Sequence, residues 1–466
     1  MSAPVIWIGI PIMVAIPLLF IRSEKWTAIL GGILAFFLCI LAAALPINQA
    51  ILIGNLSIRI DPVFAIFGRR FILSGSDQMI LILLYGIVAF WFFGAGLTGI
   101  AHRLIPLGLI ITSLLLGSLA VDPFLYAALL IELAVLISIP LLVPLNQRPG
   151  KGIIRFLIFQ TLAMPFILLS GFLLSGIEAS PSDVNLVVQA GVLLGLGFAF
   201  LLAVFPFYTW IPMVCEESSP YATGFVLMIF PTISILFGMN FLDRYTFLRE
   251  SSQLYEVLRL IGIVTMLTAG IWALFQHHST RIMGYASIIA TGFSILAMGL
   301  PDSMTAVSLV FLLIIPRALG LGVWSLALTL LNKNTASLTF SDIKGVARSY
   351  PFISAAIVTA SLSLVGMPPL AGFPIQYTLW LGLGTISIPL GFWFAAGILG
   401  LLIGSLRTAA ALVKSSKGSS WRTLENWPER ILLGVGVAGL FIFGLFPQWS
   451  QLIIANLPVV FERLGK

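Results

Sequence analysis

The sequence predicts an all-α, polytopic membrane protein with about 14 transmembrane helices. Three observations predict it. Hydrophobic residues make up 59% of the 466 residues and charged residues only 9%, against roughly 25% charged in a soluble domain; mean hydropathy is +1.11. The apolar residues fall into long runs separated by short polar breaks. Two of those runs are interrupted by proline and glycine at matching places.

The runs cover residues 5–21, 27–45, 79–97, 103–121, 123–144, 152–176, 186–213, 221–242, 255–276, 281–299, 303–331, 352–384, 385–413 and 430–454. Each is long enough, or nearly so, for the roughly 20 residues that cross a bilayer. The first is read as a span and not a cleaved leader, because no basic segment precedes it. Within the long interruption 46–78, Leu56, Ile58 and Ile60 alternate with Ser57, Arg59 and Asp61. That period of two predicts a short hairpin on one membrane face, with Asp61 solvated. Strands of a membrane barrel would alternate throughout, and these runs do not.

Charge sets the expected orientation. Loops after odd-numbered spans carry 15 of the 24 Lys and Arg, the other loops and tails carry 8, and Arg317 lies inside a span. By the positive-inside rule the odd loops face the cytoplasm and both termini face outward. The net charge of +7 is thus read as topology, and no nucleic-acid partner is expected.

Cys39 and Cys215 lie in or beside different runs, and His102, His277 and His278 sit at span ends. Neither a disulfide framework nor a metal, haem or iron–sulfur site is indicated, so no cofactor is expected. No phosphate-cradling Gly-Lys-Ser/Thr loop or dinucleotide fingerprint is present. Energy for any transport would come from an ion gradient or from partner subunits.

The seventh span carries Pro206 and Pro212, and the twelfth carries Pro368, Pro369 and Pro374 with Gly366 and Gly372. Proline removes a backbone donor, and broken backbone at membrane depth survives only inside protein or beside a wet cavity. Interrupted spans in corresponding places point to inverted repeats. The expected organisation is residues 1–102 as spans one to three with the hairpin, 103–242 and 255–413 as five-helix repeats, and 414–466 as the last helix. The alternative is two ordinary proline kinks.

Few ionisable residues lie within spans. Glu132 stands alone in Ala-Leu-Leu-Ile-Glu-Leu-Ala-Val-Leu-Ile. An ionisable group at mid-depth costs about 2.5–3.5 kcal/mol to insert and marks function by default. A carboxylate there suits a proton relay; a neutral Glu joining two helices is the bland alternative. Arg317 follows Pro316 near mid-span. It stabilises an anion or tunes a neighbour but does not pass on its own proton. It pairs with Glu132 or snorkels along a Gly-rich groove. Glu216 and Glu217 are placed at the membrane surface. His278, with His277 and Arg281, stands at a span start; two solvated loop histidines are the first reading there and a proton entry the alternative.

Five stretches together resemble the antiporter-like membrane subunits of respiratory complex I, of related hydrogenases and of multi-subunit cation/proton antiporters. They are Ile60-Asp-Pro-Val63, Glu132, Phe205 to Pro212 followed by Glu217 and Pro220, Thr280 to Ile288, and Gly366 to Phe373. The resemblance covers roughly residues 50 to 450. It implies 14 helices, two inverted repeats, a midplane line of charged residues and water, and other membrane subunits as partners. It also implies proton movement by an acid in span five and lysines in later spans.

The sequence departs from that pattern. Leu201 stands where the family has its span-seven lysine, Thr280 replaces a usual lysine beside Arg281, and Gln376 replaces a titratable residue in span twelve. Two readings follow. A rearranged ion path would use Glu132, Arg317, Gln376, Arg281 and His278 with water. A degenerate path would leave a structural or coupling subunit. A sodium/proton exchanger subunit is the other alternative, while a solute transporter lacks convergent polar groups at mid-depth. The short segment after the last run fits an internal position in such an assembly. The expected location is a bacterial plasma membrane or an equivalent energy-transducing membrane.

Overall fold

The computed structural model describes residues 2–53, 56–66, 68–179, 184–414, 423–454, 460, 461, 463 and 464. The helices are α1 (Val5–Leu18), α2 (Glu24–Ala44), α3 (Gln78–Ala95), α4 (Ala101–Ala120), α5 (Ala127–Leu142) and α6 (Lys151–Ala179). Then come α7 (Val184–Leu201), α8 (Trp210–Glu217), α9 (Pro220–Arg244), the short α10 (Thr246–Arg249), α11 (Ser252–Phe275) and α12 (Ser279–Met298). The last six are α13 (Ser303–Asn332), α14 (Pro351–Val365), α15 (Gly372–Ile386), α16 (Ile388–Val413), α17 (Trp427–Leu445) and α18 (Pro447–Ile454). Eleven helices are long and apolar enough to cross a membrane, and α1, α7 and α14 are shorter apolar helices. The seventh and twelfth runs are each two helices, α7 with α8 and α14 with α15.

Local chemistry starts these helices. Ser251 accepts from the Leu254 N–H at α11, Asp302 from Thr305 at α13, and Asn426 with Glu429 forms a capping box at α17. Proline opens α9 and α14, where its missing N–H breaks no helical bond.

The interruption between α2 and α3 holds two hairpins instead of one. Ala50–Ile53 (β1) pairs antiparallel with Leu56–Arg59 (β2), and Val63–Ile66 (β3) pairs antiparallel with Arg69–Ile72 (β4). Val121–Asp122 (β5), after α4, adds a third strand beside β4. The side chains of Leu56, Ser57 and Ile58 lie outside the described residues. Asp61 is exposed, and its carbonyl accepts from the Ala3 N–H at 2.8 Å.

Loop-to-loop bonds sort the chain ends into two faces. On one, three carboxylates cap helix N-termini supplied by other loops. Glu24 accepts from Ala101 and His102, Glu217 from Gly152 at 2.8 and 3.0 Å and from Ile153 at 3.3 Å, and Glu425 from Ile353 at 2.8 Å. A carboxylate there meets orphan N–H groups and the positive helix end together. On the same face Lys333 donates to the Leu97 carbonyl at 2.6 Å and Phe340 N–H to that of His277 at 2.9 Å. The other face joins Arg70 to Asp122 at 3.2 Å, Arg259 to the Gly299 carbonyl at 2.7 Å, and the Arg463 N–H to Asp243 at 2.7 Å. The first face carries the loops after α1, α3, α5, α8, α11, α13 and α16; the second carries those after α2, α4, α9, α12 and α15. The described stretches between these loops run from one face to the other. Span twelve, for example, begins at the Glu425 cap and ends with Gly382 beside Leu300 of the opposite face.

The core lies at α9, α12 and α13, where 89%, 89% and 83% of the apolar stretch is buried, against 17% for α17. Outer helices expose apolar side chains such as Ile33, Phe36, Phe172 and Phe392, as a chain bounded by lipid or neighbours must. The packing of α4–α9 corresponds to that of α11–α16. In both sets the first helix packs on the second and the last, and the third packs along both halves of the broken helix.

Helices α11 and α16 touch backbone to backbone. A Cβ at Gly400 would stand 2.4 Å from Gly270 backbone atoms. Gly400→Ala is expected to separate the two helices and cost about 1–3 kcal/mol, read as a lower Tm and folded yield. Gly434→Ala, with nothing within 4 Å, is the silent control.

Candidate functional site

The two breaks share one backbone design. Helix α7 ends at Leu201; Ala203 then takes φ +48° and the Val204 N–H reaches the Ala199 carbonyl five residues back at 3.1 Å. In the second break Gly366 takes φ +85° and the Met367 N–H reaches the Leu362 carbonyl, again five back, at 3.0 Å. The chain resumes with Phe207 N–H on Val204 and Leu370 N–H on Met367. Each equivalent pair is the same number of residues apart. Both breaks carry a cis X–Pro bond, Phe205–Pro206 and Pro368–Pro369. Pro206 thus matches Pro369; Pro368 sits one place earlier. Pro212 lies in the first turn of α8, beyond the break.

A glutamine amide closes each break at the same carbonyl. Gln160 of α6 donates to the carbonyls of Phe200 and Leu201 at 3.2 and 3.3 Å. Gln376 of α15 donates to that of Leu364, the equivalent of Leu201, at 3.0 Å. Both glutamines are buried, and neither Oε1 has a hydrogen-bond partner. Gln376 lies against Gly366, where a Cβ would come within 2.0 Å of its Oε1. Glycine is needed there for space and for the left-handed backbone together. Leu201 is buried and apolar.

Arg317 is not beside Glu132, and it does not snorkel. It is 3% exposed in the core, where Nη2 donates to the Leu227 carbonyl of α9 at 2.9 Å and to Thr291 Oγ1 of α12 at 3.0 Å. Proximity in sequence gave no information on this, because α9 and α12 are brought to α13 by packing alone. Glu132 instead lies half-buried at the rim of the α5–α6 face. Thr161 Oγ1 donates to its Oε1 at 2.8 Å, and its buried Oε2 has no partner. Leu129, Leu133 and Leu136 beside it are exposed. No ion pair joins Glu132 and Arg317 among the described residues.

Arg281 and His278 sit together on the face capped by Glu217. Arg281 Nε donates to Glu216 Oε2 at 2.6 Å, and His278 Nδ1 shares a hydrogen bond with Thr280 at 2.6 Å. His277 stands with Arg407 at 3.0 Å. Among the described residues no group of His, Cys, Asp and Glu is placed to hold a metal ion. The five sequence-predicted path residues are therefore dispersed over a rim, a core, a break and a surface. Gln160 and Thr161 were missed; the signal was two consecutive polar residues inside the apolar run 152–176.

Burial lowers the His278 pKa from its ordinary 6.5, with Arg281 acting the same way and Glu216 opposing. The unfolded chain then binds the proton more tightly. Stability from this site is present above 6.5 and is lost as pH falls through the lower folded value. His278→Gln is expected to shrink the fall in Tm between about pH 7.5 and about pH 5.5; an unchanged fall would contradict the assignment.

Residues 156–404 match the model of the family described as NADH:quinone oxidoreductase/Mrp antiporter, TM. Among relatives, subunit N of NADH-quinone oxidoreductase from Parvibaculum lavamentivorans is 25% identical over 333 residues, 67% of this chain and 66% of its own length. That subunit from Dehalococcoides mccartyi is 25% identical over 60% of each chain, so the matches span under two thirds of these relatives' lengths. A chain of respiratory complex I from Thermus thermophilus has the same fold, with TM-score 0.75 and 20% identity over 99% of this chain and 100% of that one. A chain of the Mrp complex from Dietzia sp. DQ12-45-1b gives TM-score 0.80 at 15% identity over 100% and 99%. The family match takes in both breaks and more than half of the sequence, and the chain belongs to the NADH:quinone oxidoreductase/Mrp antiporter membrane family.

Proposed function

We propose that the chain is a membrane-arm subunit of a multi-subunit complex that moves protons, or exchanges cations for protons. The observation that carries this reading is the pair of equivalent broken spans within the family-matched segment, because broken backbone at depth is the usual frame of an ion site. In this reading the chain crosses about 14 times, with residues 103–242 and 255–413 as inverted repeats. The termini face outward from a bacterial plasma membrane or an equivalent energy-transducing membrane. The relatives named as oxidoreductase subunits and the Mrp-complex fold support two kinds of host, one redox-driven and one an exchanger.

Glu132 is the titratable group of the path. Its Oε2 is free of protein partners and Thr161 holds the other oxygen, so a proton gained or lost at Oε2 leaves the Thr161 bond in place. Arg317 contributes a fixed charge. Arg281 and His278 mark the end of the path at the surface. Leu201 and Gln376 favour a second reading, a structural or coupling subunit: the first does not titrate and the second is spent on the Leu364 carbonyl.

The test is proton translocation by the host complex in liposomes, wild type against Glu132→Gln. The live-path reading expects a several-fold fall with assembly intact. Unchanged translocation in an assembled complex would remove Glu132 from the path and leave the structural reading.

A further inference from the structure

We infer that Arg317 holds a monoatomic anion of the chloride class in the core, reached from the face that carries the Asp243–Arg463 contact. Arg317 lines a small cavity, bounded also by Thr232, Ser294, Val310 and Ile314. Its Nη2 is taken by Leu227, Ser287 and Thr291. Nε and Nη1 are buried with no acceptor. A guanidinium stays charged, and a buried charge without a counter-charge is costly. The cavity wall includes no carboxylate. The missing countercharge is therefore supplied by a ligand.

The cavity fits that ligand. The Thr232 and Ser294 hydroxyls line it, each donating to the carbonyl four residues back, of Met228 and Ala290, at 2.6 and 3.3 Å. Water would accept from the guanidinium but leave its charge uncompensated. The space there is that of about one water molecule, which one atomic ion fills and a polyatomic anion such as phosphate exceeds.

A second cavity supplies the route. It lies between Met239 of α9, Tyr255 of α11 and Ser303 at the start of α13. Val310 lines both cavities. From Ser303 to Arg317 the helix rises about 21 Å, so the two spaces follow one stripe of α13 from the surface to the guanidinium. Val310 is the constriction between them.

This inference is independent of translocation, because its readout is binding. The host complex in detergent is titrated with radiolabelled chloride at constant ionic strength, gluconate replacing it. One saturable site per chain is expected, about tenfold weaker in Arg317→Gln and partly retained in Arg317→Lys. Val310→Trp, which leaves every polar group in place, is expected to slow chloride exchange several-fold and covers the case in which Arg317→Gln does not assemble. Absence of saturable binding in the wild type, binding unaffected by Arg317→Gln, or exchange unaffected by Val310→Trp would each overturn the assignment.

Discussion

The carbonyls of Leu201 and Leu364 set the terms for the rest of the structure. A helix that stops inside hydrocarbon leaves its last carbonyls without partners, and no water is there to replace them. One amide settles this at each break, from Gln160 on the neighbouring helix and from Gln376 on the second half of the broken span itself. Everything around them follows from keeping those amides in place. Helix α6 must run alongside α7, and Gly366 must have no side chain where Gln376 lies. The Oε1 atoms of both glutamines are buried without a hydrogen-bond partner.

The same economy governs the surfaces. Glu24, Glu217 and Glu425 each satisfy a helix start contributed by a different loop. Those bonds tie helices that are far apart in sequence, and they do so on one face only. An alternating chain with such sided ties keeps its helices in register across the membrane without disulfides. The core helices α9, α12 and α13 then need only apolar packing, with Arg317 as the single buried cation described within it.

Much of this was legible in the residues. Apolar run lengths located the helices, because hydrocarbon thickness fixes length regardless of fold. Pro206 and Pro369 located the breaks, since proline acts on its own backbone. The partners across helices were not legible. The placement of Arg317 against α9 and α12 and of Glu132 against Thr161 depends on which faces pack together, and periodicity is flat in helices buried all round. Gln160 is the instructive case: an amide in an apolar run signals a hydrogen bond, but not that its acceptor is the end of α7. The second hairpin was missed because β3 and β4 are only four residues each and β5 comes from beyond α4.

The central claim is that a capped, broken span still crosses the bilayer. It is tested most directly by labelling single cysteines on either side of span twelve, Asn334→Cys and Thr385→Cys, both exposed positions, in intact cells with a membrane-impermeant maleimide. The account predicts that one is labelled from outside and the other only after the membrane is opened. Labelling of both from the same side would make α14 and α15 a re-entrant pair and contradict it.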